Sequence, residues 1–294
     1  MIPSVGVTSE GCGVADEGKG GTARLTPYEL AFLEGDFESR VFPAIVDEAG
    51  GRGEDPGRRD RFQFIASVGD AVREIVPPDV PPETLDEYRA LFYHAFNFWR
   101  AGRRTFVMDA PVARYLVEAA PRLEGWELAV PADAFYLQLP PNLFWASINP
   151  DQQPEPVDGF FVTLSTEADA RGAPFQDLQA LMILGIHRNR PGFSVIPFDC
   201  EIGPGIPTVW AEPGRESGQD FENVLPGGDM AGLYSILTVT EALKLIGRAL
   251  WYVDRHPEDI VPETPPEWRL EDRPGSPPLS RMDFLRVRFG GAGA

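Results

Sequence analysis

Hydrophobic positions recur with a helical period up to about Pro121 and with a strand period for roughly the next eighty residues. In the helical part, Thr26-Pro27-Tyr28-Glu29 has the capping-box form with proline at the first helical position, and Pro43 is expected to kink or end the helix it opens. Ile65, Val68, Val72 and Ile75 share one face of a second helix, closed by Pro77 and Pro78. Thr84-Leu85-Asp86-Glu87 is another capping box. The helix it starts carries Leu85, Tyr88, Phe92, Ala95, Phe96 and Trp99 in one stripe and stops near Gly102, a residue suited to a left-handed C-cap. Asp109 caps a shorter helix that reaches Ala119.

Beyond Pro121 the period becomes two. Phe135, Leu137 and Leu139 alternate with Tyr136 and Gln138, and further strand-length runs follow at Leu143 to Ile148, Phe160 to Leu164, Leu181 to His187 and Phe193 to Phe198. Pro191-Gly192 supplies the central pair of a type II turn, so the last two runs form an antiparallel hairpin. From Asp229, a helix N-cap, Ile236, Val239, Leu243, Ile246, Leu250 and Val253 recur at spacings of three and four and need a cover. Met282 to Phe289 reads as an edge strand. The economical arrangement is α+β: a mainly antiparallel sheet of about five strands, flanked by the N-terminal helices and the one long helix of the C-terminal half.

Neither half closes a core alone, which makes residues 24–290 one domain. Around it lie a Gly-rich disordered tail at 1–23, Gly/Pro-rich insertions at 50–59 and 201–228, and a Pro-rich acidic segment at 257–280. A hydrophobic share of 43% over 294 residues supports a substantial core. The charge is lopsided: 45 acidic against 26 basic side chains leave a net charge of -19. Such a surface repels nucleic acid and anionic lipid and steers basic partners toward itself, an attraction that salt weakens. Direct DNA binding and membrane binding are therefore not expected. With two cysteines, no N-terminal signal pattern and no apolar run long enough to cross a bilayer, the expected location is the cytoplasm of a prokaryote or of the host of a mobile element.

Catalytic signatures are missing. There is no phosphate loop after a strand, no nucleophile elbow and no paired-cysteine zinc spacing, so no catalytic residue, metal ligand or cofactor is assigned. His94, His187 and His256 lack an i+4 histidine or carboxylate partner of the metalloprotease kind, and His94 falls opposite the main stripe of its helix with Ala90 and Asn97. Cys200 stands between Asp199 and Glu201, which disfavour a thiolate and suit a half-buried strand-end cysteine. The candidates for binding are Tyr136 and Trp145, on strand faces opposite the core set, together with Arg188 and Arg190 on the tight hairpin loop.

The order of several short motifs resembles a type V anti-CRISPR family over about residues 84–262. They are Phe98-Trp99-Arg100, Phe135-Tyr136-Leu137-Gln138-Leu139-Pro140, Val157-Asp158-Gly159-Phe160-Phe161, and Leu250-Trp251-Tyr252-Val253 before Pro257-Glu258-Asp259-Ile260, with an echo at Phe284 to Phe289. The resemblance implies a protein that suppresses synthesis of the effector nuclease by recognising its nascent chain, in association with the ribosome. It carries over no site residue. Two function classes follow: a non-enzymatic module that binds a protein or nascent polypeptide of basic character, and, as the alternative, a hydrolase or other enzyme without a recognisable motif.

Overall fold

The computed structural model describes residues 25–32, 36–54, 64, 68, 71–73, 76, 85–118, 123, 129–147, 153–168, 174–185, 194–202, 235–236, 239–263 and 282–290. The expected tail, the hairpin loop with His187, Arg188 and Arg190, the cap at Asp229 and most of the two long insertions lie outside these residues.

The first capping box forms as its sequence requires. Thr26 N and Oγ1 donate to Glu29 Oε2 at 2.7 and 3.0 Å, and Glu29 N donates back to Thr26 Oγ1 at 3.2 Å, at the head of α1 (Pro27–Phe32). Pro43 does not end a helix. A π-helical turn at Phe37–Val41 leads into α2 (Phe42–Gly51), and Pro43 sits in the first turn of α2, where a missing N–H costs no bond. Helix α3 (Leu85–Arg100) ends at Gly102, whose φ of 88° is the left-handed conformation expected there. Helix α4 (Ala110–Glu118) starts directly after Asp109, whose carbonyl accepts Ala113 N–H.

The fold is α+β, with a sheet that is mixed and larger than the five antiparallel strands expected. Nine strands are present among the described residues: β1 (Arg104–Met108), β2 (Ala134–Gln138), β3 (Phe144–Ala146), β4 (Glu155–Ala168), β5 (Pro174–Leu184), β6 (Ser194–Ile202), β7 (Ser235–Ile236), β8 (Ile260–Pro262) and β9 (Asp283–Val287). The main path runs β6-β5-β4-β2-β1-β9-β8, while β3 pairs with the start of β4 and with β7. From β6 to β2 and between β8 and β9 the pairing is antiparallel, and the β5–β6 hairpin is as expected. Strand β1 changes the picture, since it runs parallel to both neighbours, Thr105 lying beside Tyr136 on one side and Phe284 on the other. Thus β9 is an interior strand and not an edge. Ile236 belongs to β7, and the long helix α5 (Val239–Arg255) begins only after it. Among the described residues the sheet's ends are β6 and β8, each carrying a proline, Pro197 and Pro262, a residue edge strands tolerate and that discourages further strand addition.

Both faces of the sheet are covered. On one, α4 and α5 pack over Phe106, Phe135, Leu137, Phe160, Leu178 and Met182. On the other, α3 lies over Tyr136, Phe161, Leu181 and Ile183 and is itself covered by Tyr28, Phe32, Phe37, Phe42 and Phe64. Helix α3 is therefore buried on two sides, and every residue from Ala90 to Phe98 is buried. The stripe of Tyr88, Phe92, Ala95, Phe96 and Trp99 meets the N-terminal layer, while the opposite side, with Ala90 and His94, meets the sheet. No described helix is long and apolar enough to cross a membrane.

Candidate functional site

Of the residues singled out for binding, Tyr136 is not on the surface. It is fully buried beneath α3, and its hydroxyl donates to Asp158 Oδ2 at 2.6 Å, an acceptor that Gln138 Nε2 also approaches at 3.5 Å. The geometry comes from the Val157-Asp158-Gly159 segment, where the β4 register shifts between Val157 and Gly159 and turns the Asp158 carboxylate back onto β2. The alternation around Tyr136 is genuine, but both faces it alternates between are interior.

Trp145 is half-buried on the short strand β3. Its Nε1 donates to Asn142 O at 3.3 Å across a turn in which Asn142 takes the left-handed conformation, with φ of 59°. Trp145→Ala is expected to lower stability by about 1 to 2 kcal/mol, since roughly half of a large side chain's burial is lost. Parallel melting and binding measurements on this variant check that figure and separate packing from partner contact. Arg188 and Arg190 lie outside the described residues.

His94 and Cys200 do not come together. His94 is enclosed between α3 and β4, its Nδ1 2.9 Å from Thr163 Oγ1, on the α3 side of the sheet. Cys200 is half-buried on β6 and packs with the α4 and α5 side, in line with its expected place in a strand. The sheet separates them. Among the described residues no three histidine, cysteine or carboxylate side chains are placed to hold one metal ion.

A different set of residues converges on the surface where the C-terminal end of α5 reaches the sheet. Tyr252 is its buried hub. Around it stand His256, Phe289, Tyr115 and Trp251, at ring-centroid distances of 4.5, 6.2, 6.3 and 6.5 Å, with Tyr115 and Phe289 5.7 Å from each other. Edge-to-face contacts predominate, an arrangement in which each ring's positive edge meets a neighbour's negative face. The hub is fixed by its hydroxyl, which donates to Asp259. Burial, and then that bond to a carboxylate, raises the Tyr252 pKa well above its ordinary value.

Asp259 also positions the C-terminal strand. Its carbonyl accepts Arg288 N–H at 3.1 Å, and at Gly290 any Cβ would come within 2.3 Å of its Oδ1. Phe289, held between these two contacts, stays 46% exposed. The other exposed large hydrophobics among the described residues, Leu30 and Val239, stand outside any ring cluster, so Phe289 marks this place. Tyr115, Trp251 and His256 are half-buried beside it.

An ion-pair network anchors the strands beneath. Arg286 Nη1 donates to Asp109 and Nη2 to Glu263, both at 2.7 Å, joining β9 to the head of α4 and the residue after β8. Burial lowers the Arg286 pKa, but the bond to Glu263 and the charges of Asp109 and Glu263 outweigh it and leave the guanidinium held above its ordinary value. For Asp109 burial wins and the carboxyl is raised, despite Arg286.

In the sequence, Trp251, Tyr252 and Phe289 stand out only through the order of motifs, and His256 only as a histidine without a metal-ligand partner. Tyr115 was not singled out. The available signal was local, an aromatic pair closing a long helix just before His256-Pro257.

No family model matches the chain, and no curated protein matches it. Among solved structures the chain is similar to the crystal structure of AcrVA2, an anti-CRISPR protein, with 10% sequence identity and a TM-score of 0.44 over 88% of this chain and 81% of that one. That is a weak structural resemblance.

Proposed function

We propose that this protein is a non-enzymatic binding module of an anti-CRISPR-like kind, which recognises a polypeptide, mature or nascent on the ribosome, and interferes with its production or activity. The observation that carries the binding role is the aromatic cluster at the end of α5, open to solvent through Phe289. Tyrosine and tryptophan are enriched at the centres of protein interfaces because they bury large areas with few rotatable bonds. The net charge of -19 adds steering toward basic partners, and the order of motifs supplies the anti-CRISPR comparison.

Affinity capture from native host cells with cross-linking, followed by mass spectrometry, tests the proposal. A stoichiometric protein partner is expected, accompanied by ribosomal proteins if the chain is met during synthesis, and recovery of no stoichiometric partner overturns it. Once a partner is in hand, raising ionic strength to about 0.5 M shrinks the Debye length to a few ångströms. Association is expected to slow markedly while dissociation changes little, because long-range steering acts on encounter and ring contacts act on residence time. Stopped-flow traces at two salt concentrations measure both.

A further inference from the structure

Three sources of negative potential meet at the α5 terminus. The first is the ring faces of Tyr115, Trp251 and Phe289, which carry the negative part of the aromatic quadrupole. The second is α5 itself: seventeen residues end at Arg255, so the last carbonyls present the negative pole of a long helix. The third is the carboxylate of Glu258, whose side chain is 67% exposed and lies 3.6 Å from His256 Nδ1. Of the cations nearby, Arg255 pairs with Asp254 at 3.7 Å, and Arg288 is exposed beside Phe289. The chain uses the same interaction internally, where the Arg100 guanidinium lies 5.8 Å from the centre of the Phe96 ring.

We infer that this surface seats a cationic side chain, lysine or arginine, presented by a basic segment of the protein partner; the inference rests on the polypeptide-binding proposal above. A second copy of this chain is a poor occupant, since it brings a charge of -19 against -19, and a nucleic acid is disfavoured by the same repulsion. A wholly apolar segment would cover Glu258 and the α5 carbonyls without satisfying them, which costs free energy. A basic segment satisfies rings, carbonyls and carboxylate together.

The test uses the full chain and three synthetic peptides: one alternating leucine and lysine, its arginine counterpart, and the lysine peptide with every lysine acetylated. Binding is read by fluorescence anisotropy at about physiological ionic strength, where the Debye length is roughly 8 Å. The informative variant is Tyr115→Leu/Phe289→Leu, which keeps apolar area and removes ring faces. The control is Asp47→Asn/Glu48→Gln on exposed positions of α2, which removes charge and keeps the rings. The ring variant is expected to bind both basic peptides about tenfold more weakly than wild type, an effect of the size cation–π contacts provide, and to bind the acetylated peptide as wild type does. The control is expected to change affinity less than twofold, near the limit of a screened surface charge.

Equal affinity of wild type and ring variant for the lysine peptide overturns the inference, as does an equal loss for the acetylated peptide. If the double variant loses its fold, as judged by its melting transition, Phe289→Leu alone carries the test, since that side chain is the exposed one. The two proposals fail separately. A captured natural partner that is released by Tyr115→Ser/Phe289→Ser, with no ring dependence for basic peptides, leaves polypeptide binding standing and removes the cation seat. Failure to capture any partner removes the polypeptide-binding proposal itself.

Discussion

Phe92→Ala is expected to lose about 3 to 5 kcal/mol of stability, the range for truncating a fully buried phenylalanine. Phe92 has no exposed surface, and its ring touches those of Phe32, Phe37, Phe42 and Phe64, at centroid distances of 6.2, 6.4, 5.7 and 6.2 Å. These four rings come from α1, the π-helical turn, α2 and the segment before α3. Removing the central ring leaves a cavity that they cannot close without shifting together, so the cavity penalty adds to the transfer loss. Against a total stability of roughly 5 to 15 kcal/mol for a native domain, this is a large fraction. Urea denaturation measures it: the midpoint should fall with the slope unchanged. A loss below about 1.5 kcal/mol, the range of volume-conserving swaps, would mean that the N-terminal layer is not packed around this ring.

Gly159→Ala is expected to be comparably severe for the opposite reason. A Cβ at this position would lie 2.2 Å from the Leu137 carbonyl oxygen and 2.9 Å from the Tyr136 hydroxyl oxygen. The nearer atom is backbone, tied into the β2–β4 ladder where Gln138 pairs with Gly159 and Leu139 N–H donates to Asp158 O at 2.8 Å. It cannot swing aside as a side chain would. Overpacking of this kind costs about 1 to 3 kcal/mol and occasionally more, and the backbone clash places it at the upper end. In a chain of this size 3 kcal/mol corresponds to a fall in melting temperature of about 6 to 12 °C. A variant melting within about 2 °C of wild type, less than the shift for 1 kcal/mol, would show that β2 and β4 separate more easily at the bulge than their register implies.

The sequence disclosed elements whose determinants are local. The Thr26 to Glu29 box, the Gly102 stop and the β5–β6 hairpin each rest on residues close in the chain. What it withheld is parallel and long-range. Arg104–Met108 is five residues between two helices, buried at four of its five positions, so it shows neither alternation nor helical period. Its partner across the sheet, Asp283–Val287, lies nearly at the other end of the chain. Nothing local tells an interior strand from an edge when both neighbours are remote.

The binding residues divide in the same way. Tyr136 alternates with apolar neighbours, which points to an exposed face when one face of a sheet is bare; here α3 covers that face, and Asp158 satisfies the hydroxyl. His94 lies on the side of α3 away from its stripe, as the helical projection predicts, but that side meets β4. Tyr115 and Phe289 become neighbours only because β9 lies beside β1, which leads into α4. The aromatic cluster is thus a product of the parallel pairing that escaped the sequence.

The central claim, that this protein meets a polypeptide through the rings at the end of α5, is tested most directly by hydrogen–deuterium exchange on the complex with the captured partner. Peptides covering residues 249–260 and 284–290 should become protected on binding. Tyr115→Ser/Phe289→Ser should abolish both the protection and the complex while exchange in β4 and β5 stays as in the free protein. Unchanged exchange across those two segments, with protection appearing instead around Trp145 or along β6, would contradict the account.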